Sequence, residues 1–366
     1  MANKKISQLT ELTSLDKDND ILPIVDSSSN KTKKAKLKNL PLSDASKGQG
    51  LALTYLTTTS TSVFSGTTIP NNYSLSNSAL KVVYIGSNIT SIGSYAFSYC
   101  SNVHSLKFAE GVSTISDSSF KSISANKSTI TSFPSTLTSI GGGCFSSCKW
   151  NKGLRFNEGL TSIGSYSFNY NSFYEDFSLP DSLTTISGGS FYNCSNSSVN
   201  LNIGTGLTTI GSKAFAYSKF YFSVDPENQS FSAVDGVLYE GTSLKIGNVL
   251  TGDYTLPNDV LSISSFAFKN AQKGNLNLNT NNVTSISSYA FVYNSNLKSI
   301  TMGSGVTGIG SNAFYNNSLT GINLYATTPP TVGSNAFYNC GVTDIHVPVG
   351  SSYGLTFNGL TVIKDL

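Results

Sequence analysis

One short phrase recurs ten times, and that recurrence limits the folds open to the chain more than any other feature. Its phenylalanines, Phe97, Phe120, Phe145, Phe168, Phe191, Phe215, Phe268, Phe291, Phe314 and Phe337, stand 23, 25, 23, 23, 24, 53, 23, 23 and 23 residues apart. Isoleucine precedes nine of them by five residues, and Val332 takes that place before the tenth. A second apolar segment, such as Leu297 to Met302, lies between phrases. Neither segment can be buried within one repeat. Stacked copies can bury both, and the result is a solenoid of parallel strands about 4.8 Å apart.

Stacking aligns Ile300 and Met302 with Leu106 and Phe108, Leu154 and Phe156, Leu201 and Ile203, and Ile322 and Leu324. A period of 20–29 residues with this leucine pattern marks a leucine-rich repeat. The residue before each phenylalanine is usually small (Ala96, Ser167, Ser190, Ala214, Ala267, Ala290, Ala313, Ala336), so the Gly-Ser-x-Ala-Phe phrase reads as one helical or 3₁₀ turn. Three residues after the phenylalanine stand Cys100, Cys148, Cys194 and Cys340, or Asn171, Asn294 and Asn317. A small side chain bonded inward to backbone suits that slot better than a metal ligand or nucleophile. The expected fold is therefore a mainly β repeat solenoid, a rod with a parallel sheet, short helical or 3₁₀ turns and one β-hairpin insertion.

Composition narrows the function classes. Charged residues make up 12% of the chain. Residues 1–50 hold nine lysines against six acids; the other 316 residues balance 14 basic against 14 acidic. That is not the footprint of a nucleic-acid binder. No stretch approaches the ~20 apolar residues of a membrane span, and residues 1–30 lack the apolar run of an export signal. An odd number of thiols in core slots argues against a disulfide-built domain.

Residues 1–46 read as a separate attachment or oligomerisation segment. Ile6, Leu9, Leu12 and Leu15 are followed by an acidic break, a short Ile-Leu-Pro-Ile-Val strand, and Lys31, Lys33, Lys34, Lys36 and Lys38 on a solvated turn and strand. The run Lys-Lys-Ile-Ser-Gln-Leu through Thr-Lys-Lys-Ala-Lys-Leu resembles the segment that opens many tail fibre and appendage proteins of tailed bacteriophages. That resemblance implies a virion protein, assembled in the host cytoplasm, docking on other virion proteins through residues 1–46 as a homo-oligomer, a trimer being favoured. Residues 47–76 read as linker and cap, and residues 77–366 as the repeat domain. Irregular text at 123–132 suggests a loop excursion. An insertion at about 221–256 carries turn and strand signals at Asp225-Pro-Glu-Asn and Val234-Asp-Gly-Val, and its Val237-Leu-Tyr and Leu244-Lys-Ile runs flank a glycine-containing turn, which predicts a β-hairpin leaning out of the rod. The Thr-Thr-Pro-Pro and Ile-His-Val-Pro-Val-Gly phrases near the end read as a closing edge whose prolines discourage further pairing.

Across 77–363, the Thr-Ser-Ile-Gly-Ser-x-Ala-Phe phrase, the Asp-Pro-Glu-Asn-Gln-Ser-Phe hairpin and the Ile-His-Val-Pro-Val-Gly-Ser ending resemble BspA-type leucine-rich repeat proteins. That resemblance implies adhesion or ligand binding at a surface.

No catalytic, cofactor or metal site is expected. His104 and His346 lie many coils apart, which excludes a convergent triad. Gly141 to Gly143 lacks the lysine of a phosphate loop. Asp16 to Asp20 lacks the glycine and distal glutamate of a calcium loop. Two surface patterns remain. Lys81 and Tyr84, His104 and Lys107, and Lys152 and Arg155 occupy outward slots of the early strands, a candidate cationic strip for an anionic glycan or a partner subunit. Tyr95, Tyr166 and Tyr289 share the slot two before the phenylalanine; Tyr99, Tyr170, Tyr217 and Tyr293 share the slot two after. Lateral packing is the simpler reading of these rows, sugar stacking the other. Together the sequence points to a phage appendage whose rod recognises a host-surface glycan or protein. A bacterial surface or secreted adhesin is the alternative, and a head decoration or scaffold protein without a ligand the third.

Overall fold

The computed structural model describes residues 21–26, 31–36, 52–56, 61–64, 66–74, 76–78, 80–103, 105–123, 131–150, 154–196, 199–247, 254–269, 274–278 and 282–366. The loop excursion expected at 123–132 falls mostly outside them, as does most of the N-terminal segment. Two compact units result: Met1–Val199 with Ile203–Ala214, and Asn200–Asn202 with Phe215–Leu366.

In the first unit, short strands pair in parallel in one ladder. They run from Thr68–Ile69 through Ser91–Ile92, Thr114–Ile115, Ser139–Ile140, Ser162–Ile163 and Thr185–Ile186 to Thr209–Ile210. Isoleucine meets isoleucine at every step, from Ile69↔Ile92 to Ile186↔Ile210. The hydroxyl residue just before each of these strands faces outward, and its Oγ donates to a carbonyl one coil back: Thr138 to Ser113 at 3.0 Å, Thr161 to Thr138 at 2.9 Å, Thr184 to Thr161 at 3.1 Å. Hydroxyls at this slot therefore contribute to stacking, where charged side chains would repel their own copies.

The unit opens with a hairpin. Ala52–Leu56 pairs antiparallel with Thr61–Phe64 and with Leu80–Ile85, which then pairs in parallel with Ser105–Phe108. Upstream, Ile21–Asp26 and Lys31–Lys36 form an antiparallel pair, in agreement with the two strands read there from sequence.

All ten repeat phenylalanines are buried. Within the first unit they form a column. Phe97, Phe120, Phe145, Phe168 and Phe191 follow one another at ring separations of 5.3–5.4 Å, with planes within 14° of parallel. The second unit repeats this with Phe268, Phe291, Phe314 and Phe337 at 4.8–5.2 Å. Each ring covers the face of the next, so one column supplies both apolar burial and offset stacking.

The phrase around the phenylalanine differs from expectation: no helix occurs among the described residues. The cause is backbone sign. In the coil of Phe97, Tyr95 and Tyr99 have φ of 58° and 60°. The same two slots are left-handed in other coils, as at Tyr166 and Tyr170, Tyr289 and Tyr293, and Asn312 and Asn316. Left-handed residues four apart in the turn prevent a helical ladder. Instead the N–H groups of Tyr95, Phe97 and Tyr99 donate along the stack to the carbonyls of Asp117, Ser119 and Lys121 at 3.1, 2.7 and 2.7 Å. Those of Ala96 and Ser98 close local turns on Gly93 and Tyr95. The small residue before the phenylalanine is buried, and where it is serine its hydroxyl is satisfied across coils: Ser167 Oγ donates to Gly141 O at 2.8 Å.

The second unit has two parallel ladders of its own. One joins Ser262–Ile263, Ser285–Ile286, Gly308–Ile309 and Thr331–Val332; the other joins Tyr254–Thr255, Gly274–Leu278, Leu297–Met302, Gly321–Leu324 and Asp344–Val347. The insertion does contain the expected hairpin, Val237–Glu240 antiparallel with Ser243–Ile246, and a second one ahead of it: Phe231–Val234 pairs antiparallel with Val237–Glu240. The turn of the second uses Asp235 and Gly236 at φ 52° and 78°, a primed turn that suits strand twist. The insertion does not lean out, however. Val237–Glu240 also pairs with Ser243–Ile246, which joins Ser262–Ile263 in parallel. Val237 and Leu238 are fully buried. The hairpin's apolar face is too large to leave in water, so it becomes the first part of the sheet.

The closing edge also differs. Asp344–Val347 is not terminal: Leu360–Lys364 pairs with it in parallel, and Thr356–Phe357 folds back antiparallel on Leu360. Pro348 lies just past the paired register and blocks none of these bonds.

The left-handed slots give a test. Ser147 has φ of 59° and is exposed. Ser147→Val should lower stability by about 1–2 kcal/mol, while Ser147→Gly should leave it unchanged or raise it. Chemical denaturation of the two variants beside the parent checks the opposite responses.

Candidate binding surfaces

With phenylalanine and isoleucine consumed by the core, chemistry is left to three outer features.

The first is the sheet face of the first unit. Tyr84 and Lys107 are register neighbours across the Leu80–Ile85 and Ser105–Phe108 strands, and both are half-buried. Burial pushes the Tyr84 phenol above its ordinary pKa. Lys81 belongs to the same strand as Tyr84. Arg155 is exposed on Leu154–Arg155, a strand in register with Thr131–Ser132. His104 and Lys152 lie outside the described residues. Arg155 lines a recess of about 310 Å³ together with Asn157, Glu175, Asp176 and Ser178. Two carboxylates beside the guanidinium make this part of the strip mixed in charge rather than cationic.

The second feature is the edge formed by the turns. Tyr95, Tyr99, Tyr166, Tyr170, Tyr289 and Tyr293 are all exposed there. Their neighbours explain how they are held. In the second unit the rings cover one another. Phe266 stacks on Tyr289 at 5.3 Å and 5°, and Tyr315 on Tyr338 at 5.4 Å and 17°. The buried Lys269 sets its Nζ 3.6 Å from the Tyr217 ring centre, with Tyr293 and Phe266 at 5.1 and 5.2 Å. An ammonium enclosed by rings is held by their negative faces. There the packing reading of the tyrosines holds.

Steep tyrosine pairs occur in both units, Tyr293 against Tyr315 at 6.0 Å and 87° in the second. Tyr192 sits 6.4 Å from Tyr166 at 72° and 5.9 Å from Tyr170 at 75°. Tyr192, Tyr315 and Tyr338 occupy the slot one after the phenylalanine, which the sequence reading passed over. A Phe-Tyr pair recurring in three coils was the available signal.

The third feature is at the end of the second unit. His346 Nδ1 lies 2.9 Å from both oxygens of Asp365, and its Nε2 lies 3.6 Å from Asp344. The His346–Asp365 hydrogen bond ties the end of the last strand to Asp344–Val347, its parallel neighbour.

The thiols are structural. Cys100, Cys144, Cys148, Cys194 and Cys340 are free and buried. Cys148 Sγ donates to Phe120 O at 3.2 Å and Cys194 Sγ to Phe168 O at 3.2 Å. At the asparagine slots the amide oxygen accepts from the neighbouring coil instead, Asn171 from Cys148 N at 2.6 Å and Asn317 from Asn294 N at 2.9 Å. Burial pushes the Cys148 thiol up to about 12, and burial followed by the neighbouring Cys148 raises Cys144. A thiol that stays protonated is neither nucleophile nor metal ligand. No group of three histidine, cysteine or acidic side chains converges among the described residues.

The fold and these surfaces define a class: a leucine-rich repeat solenoid whose interior is filled and whose chemistry faces outward. The chain belongs to the family described as BspA type Leucine rich repeat region (6 copies), which matches residues 54–132, 126–232 and 249–353. No curated protein matches the chain. Among solved structures, a leucine-rich repeat protein from Eubacterium ventriosum is 22% identical, with a TM-score of 0.55, over 72% of this chain and 73% of its own. The pneumococcal vaccine antigen PcpA is 17% identical, with a TM-score of 0.55, over 98% of this chain and all of its own. A leucine rich cell surface protein from Faecalibacterium prausnitzii is 19% identical, with a TM-score of 0.50, over 95% and 98%. These likenesses show the fold.

The buried thiols generate a pH test. Cys148 has a folded pKa raised above its unfolded value near 9.0, so its contribution to stability is full below pH 9 and is lost as pH rises toward 12. Cys148→Ala should flatten the loss of stability across that window, measured by denaturant titration from pH 8 to 11.

Proposed function

We propose that this chain is a non-enzymatic binding protein displayed at a bacterial cell surface, adhering through the outside of its solenoid. The observation that carries this is the division of labour in the coils. Apolar side chains fill the interior, while exposed tyrosine, hydroxyl and mixed-charge groups recur on the outside at coil spacing. Such a surface offers many repeated weak contacts, and display in many copies turns them into avidity. Two relatives in fold support the cellular setting by their descriptions, one a cell surface protein and one a vaccine antigen. The alternative named from sequence, a bacterial adhesin, is thus preferred to the phage appendage. The virion reading rests on the resemblance of residues 1–46, and the family match begins at residue 54.

The sheet face of the first unit is proposed as one contact area, with Tyr84, Lys107 and Arg155 its described members. Beads coated with the purified protein should adhere to epithelial monolayers above albumin-coated beads. The double reversal Lys107→Glu with Arg155→Glu should lower adherence roughly tenfold at low ionic strength, with a smaller effect in high salt. Parent beads that adhere no better than albumin would refute the adhesin reading. Adherence indifferent to the reversal would remove the sheet face from it.

A further inference from the structure

The recess on the sheet face of the first unit lies where that face changes sheets. Leu154–Arg155 pairs with Thr131–Ser132, whereas Phe177–Ser178 belongs with Val199–Ile203 and Phe220–Val224. The coils of Arg155 and Ser178 follow one another in the stack, yet these two strands belong to different sheets. Both strands line the recess, which measures about 310 Å³.

Side-chain size opens it further. Arg155 is the single arginine of the chain. Its register partner on the preceding coil is Ser132, and Ser178 holds the corresponding place on the next coil. Short side chains on both flanks leave Arg155 exposed, and its guanidinium has no ion-pair or hydrogen-bond partner among the described residues. On the same wall the Asn157 side-chain nitrogen donates to Phe133 O, which leaves its oxygen as an acceptor.

The opposite wall is acidic. Between the short strands Ser172–Phe173 and Phe177–Ser178 the chain bends through Tyr174, Glu175 and Asp176, all exposed. Phe173 and Phe177 are buried, with ring centres 5.1 Å apart. Two core rings thus anchor the ends of the bend, and its position does not depend on the acids it carries. Glu175 and Asp176 have contacts of their own. A carboxylate offers about four lone-pair sites, so each can take a further donor.

The charges select the ligand. A simple anion would meet Arg155 but also two carboxylates, and a simple cation would meet the reverse. A molecule carrying both signs finds a complement at each end. The planar fork of arginine grips a carboxylate through two parallel bonds, and a compact ammonium suits a pair of acids. A volume of about 310 Å³ is at the small end of the roughly 300–1,000 Å³ of small-molecule sites, room for one amino-acid-sized group.

We propose that the recess between Arg155 and the Glu175–Asp176 bend binds a small zwitterion, its carboxylate on Arg155 and its ammonium on the two acids. This rests on the reading of the sheet face as a contact area and names the chemistry it takes.

Saturation-transfer NMR on the full chain tests it with a matched series. Glycine, γ-aminobutyrate and ε-aminohexanoate vary the distance between the two charges, while hexanoate and hexylammonium each keep one charge. At least one zwitterion should give a saturable signal. Hexanoate and hexylammonium should bind roughly tenfold more weakly, the worth of one hydrogen bond to a charged group. Arg155→Gln should lower zwitterion affinity by a similar factor, and so should Glu175→Gln combined with Asp176→Asn. Arg155→Lys keeps the charge and loses the fork, so it should fall in between. Lys298→Gln, at an exposed position of the second unit, should change nothing. Circular dichroism confirms that each variant is folded. The proposal is overturned if no zwitterion saturates, if either singly charged probe binds as tightly as the best zwitterion, or if binding survives Arg155→Gln. If coated beads adhere to cells while no zwitterion binds, the recess proposal fails and the adhesin reading stands. If a zwitterion binds in the recess while the beads do not adhere, the site stands and the adhesin reading fails.

Discussion

The structure depends on amide protons passing from coil to coil. A turn that satisfied its own hydrogen bonds would be a helix, self-sufficient and indifferent to its neighbour. Here Tyr95, Phe97 and Tyr99 give their N–H groups to the next coil, and each later coil repeats the gift. A buried donor without its acceptor costs roughly 1–3 kcal/mol, so removing one coil's partner is penalised several times over. That penalty fixes the register that the phenylalanine column and the isoleucine ladder then exploit.

Much of this was legible in the sequence, and for a physical reason. A buried column tolerates little variation, so Phe97 through Phe337 and the isoleucines five residues earlier recur almost without exception, and all ten phenylalanines are in the core. The asparagine and cysteine slot was legible too, since only small side chains able to bond inward fit there. The turn conformation was not. Gly-Ser-x-Ala-Phe has good helical spacing, and the slots that forbid a helix are filled by tyrosine, serine and lysine as well as glycine and asparagine. Their left-handed conformation is imposed by the neighbouring coil rather than by local preference. The fate of the insertion was also hidden. Its Asp-Gly turn announced a hairpin, but only packing decides that Val237 and Leu238 turn inward.

The outer surfaces were legible in composition and silent in geometry. The tyrosine rows are equally visible at Tyr166 and at Tyr289, yet one row meets a neighbour at a steep angle and the other stacks flat. What separates them is the same slot on the preceding coil, Gly143 in one case and Phe266, which stacks on Tyr289, in the other. Likewise the outward lysines and arginine suggested a basic strip until Glu175 and Asp176 appeared beside Arg155.

The hairpin at Val234 and Val237 also bears on how the second unit comes into being. Partners within a ladder are about 23 residues apart, so every coil closes a long loop before its first ladder bond forms. The strands flanking Asp235 and Gly236 are joined by two residues, and the next strand follows almost at once. Chain entropy opposes this short closure far less than a coil-length one. The second unit thus possesses a local nucleus for its sheet, onto which Ser262–Ile263 and the later coils can condense in sequence order.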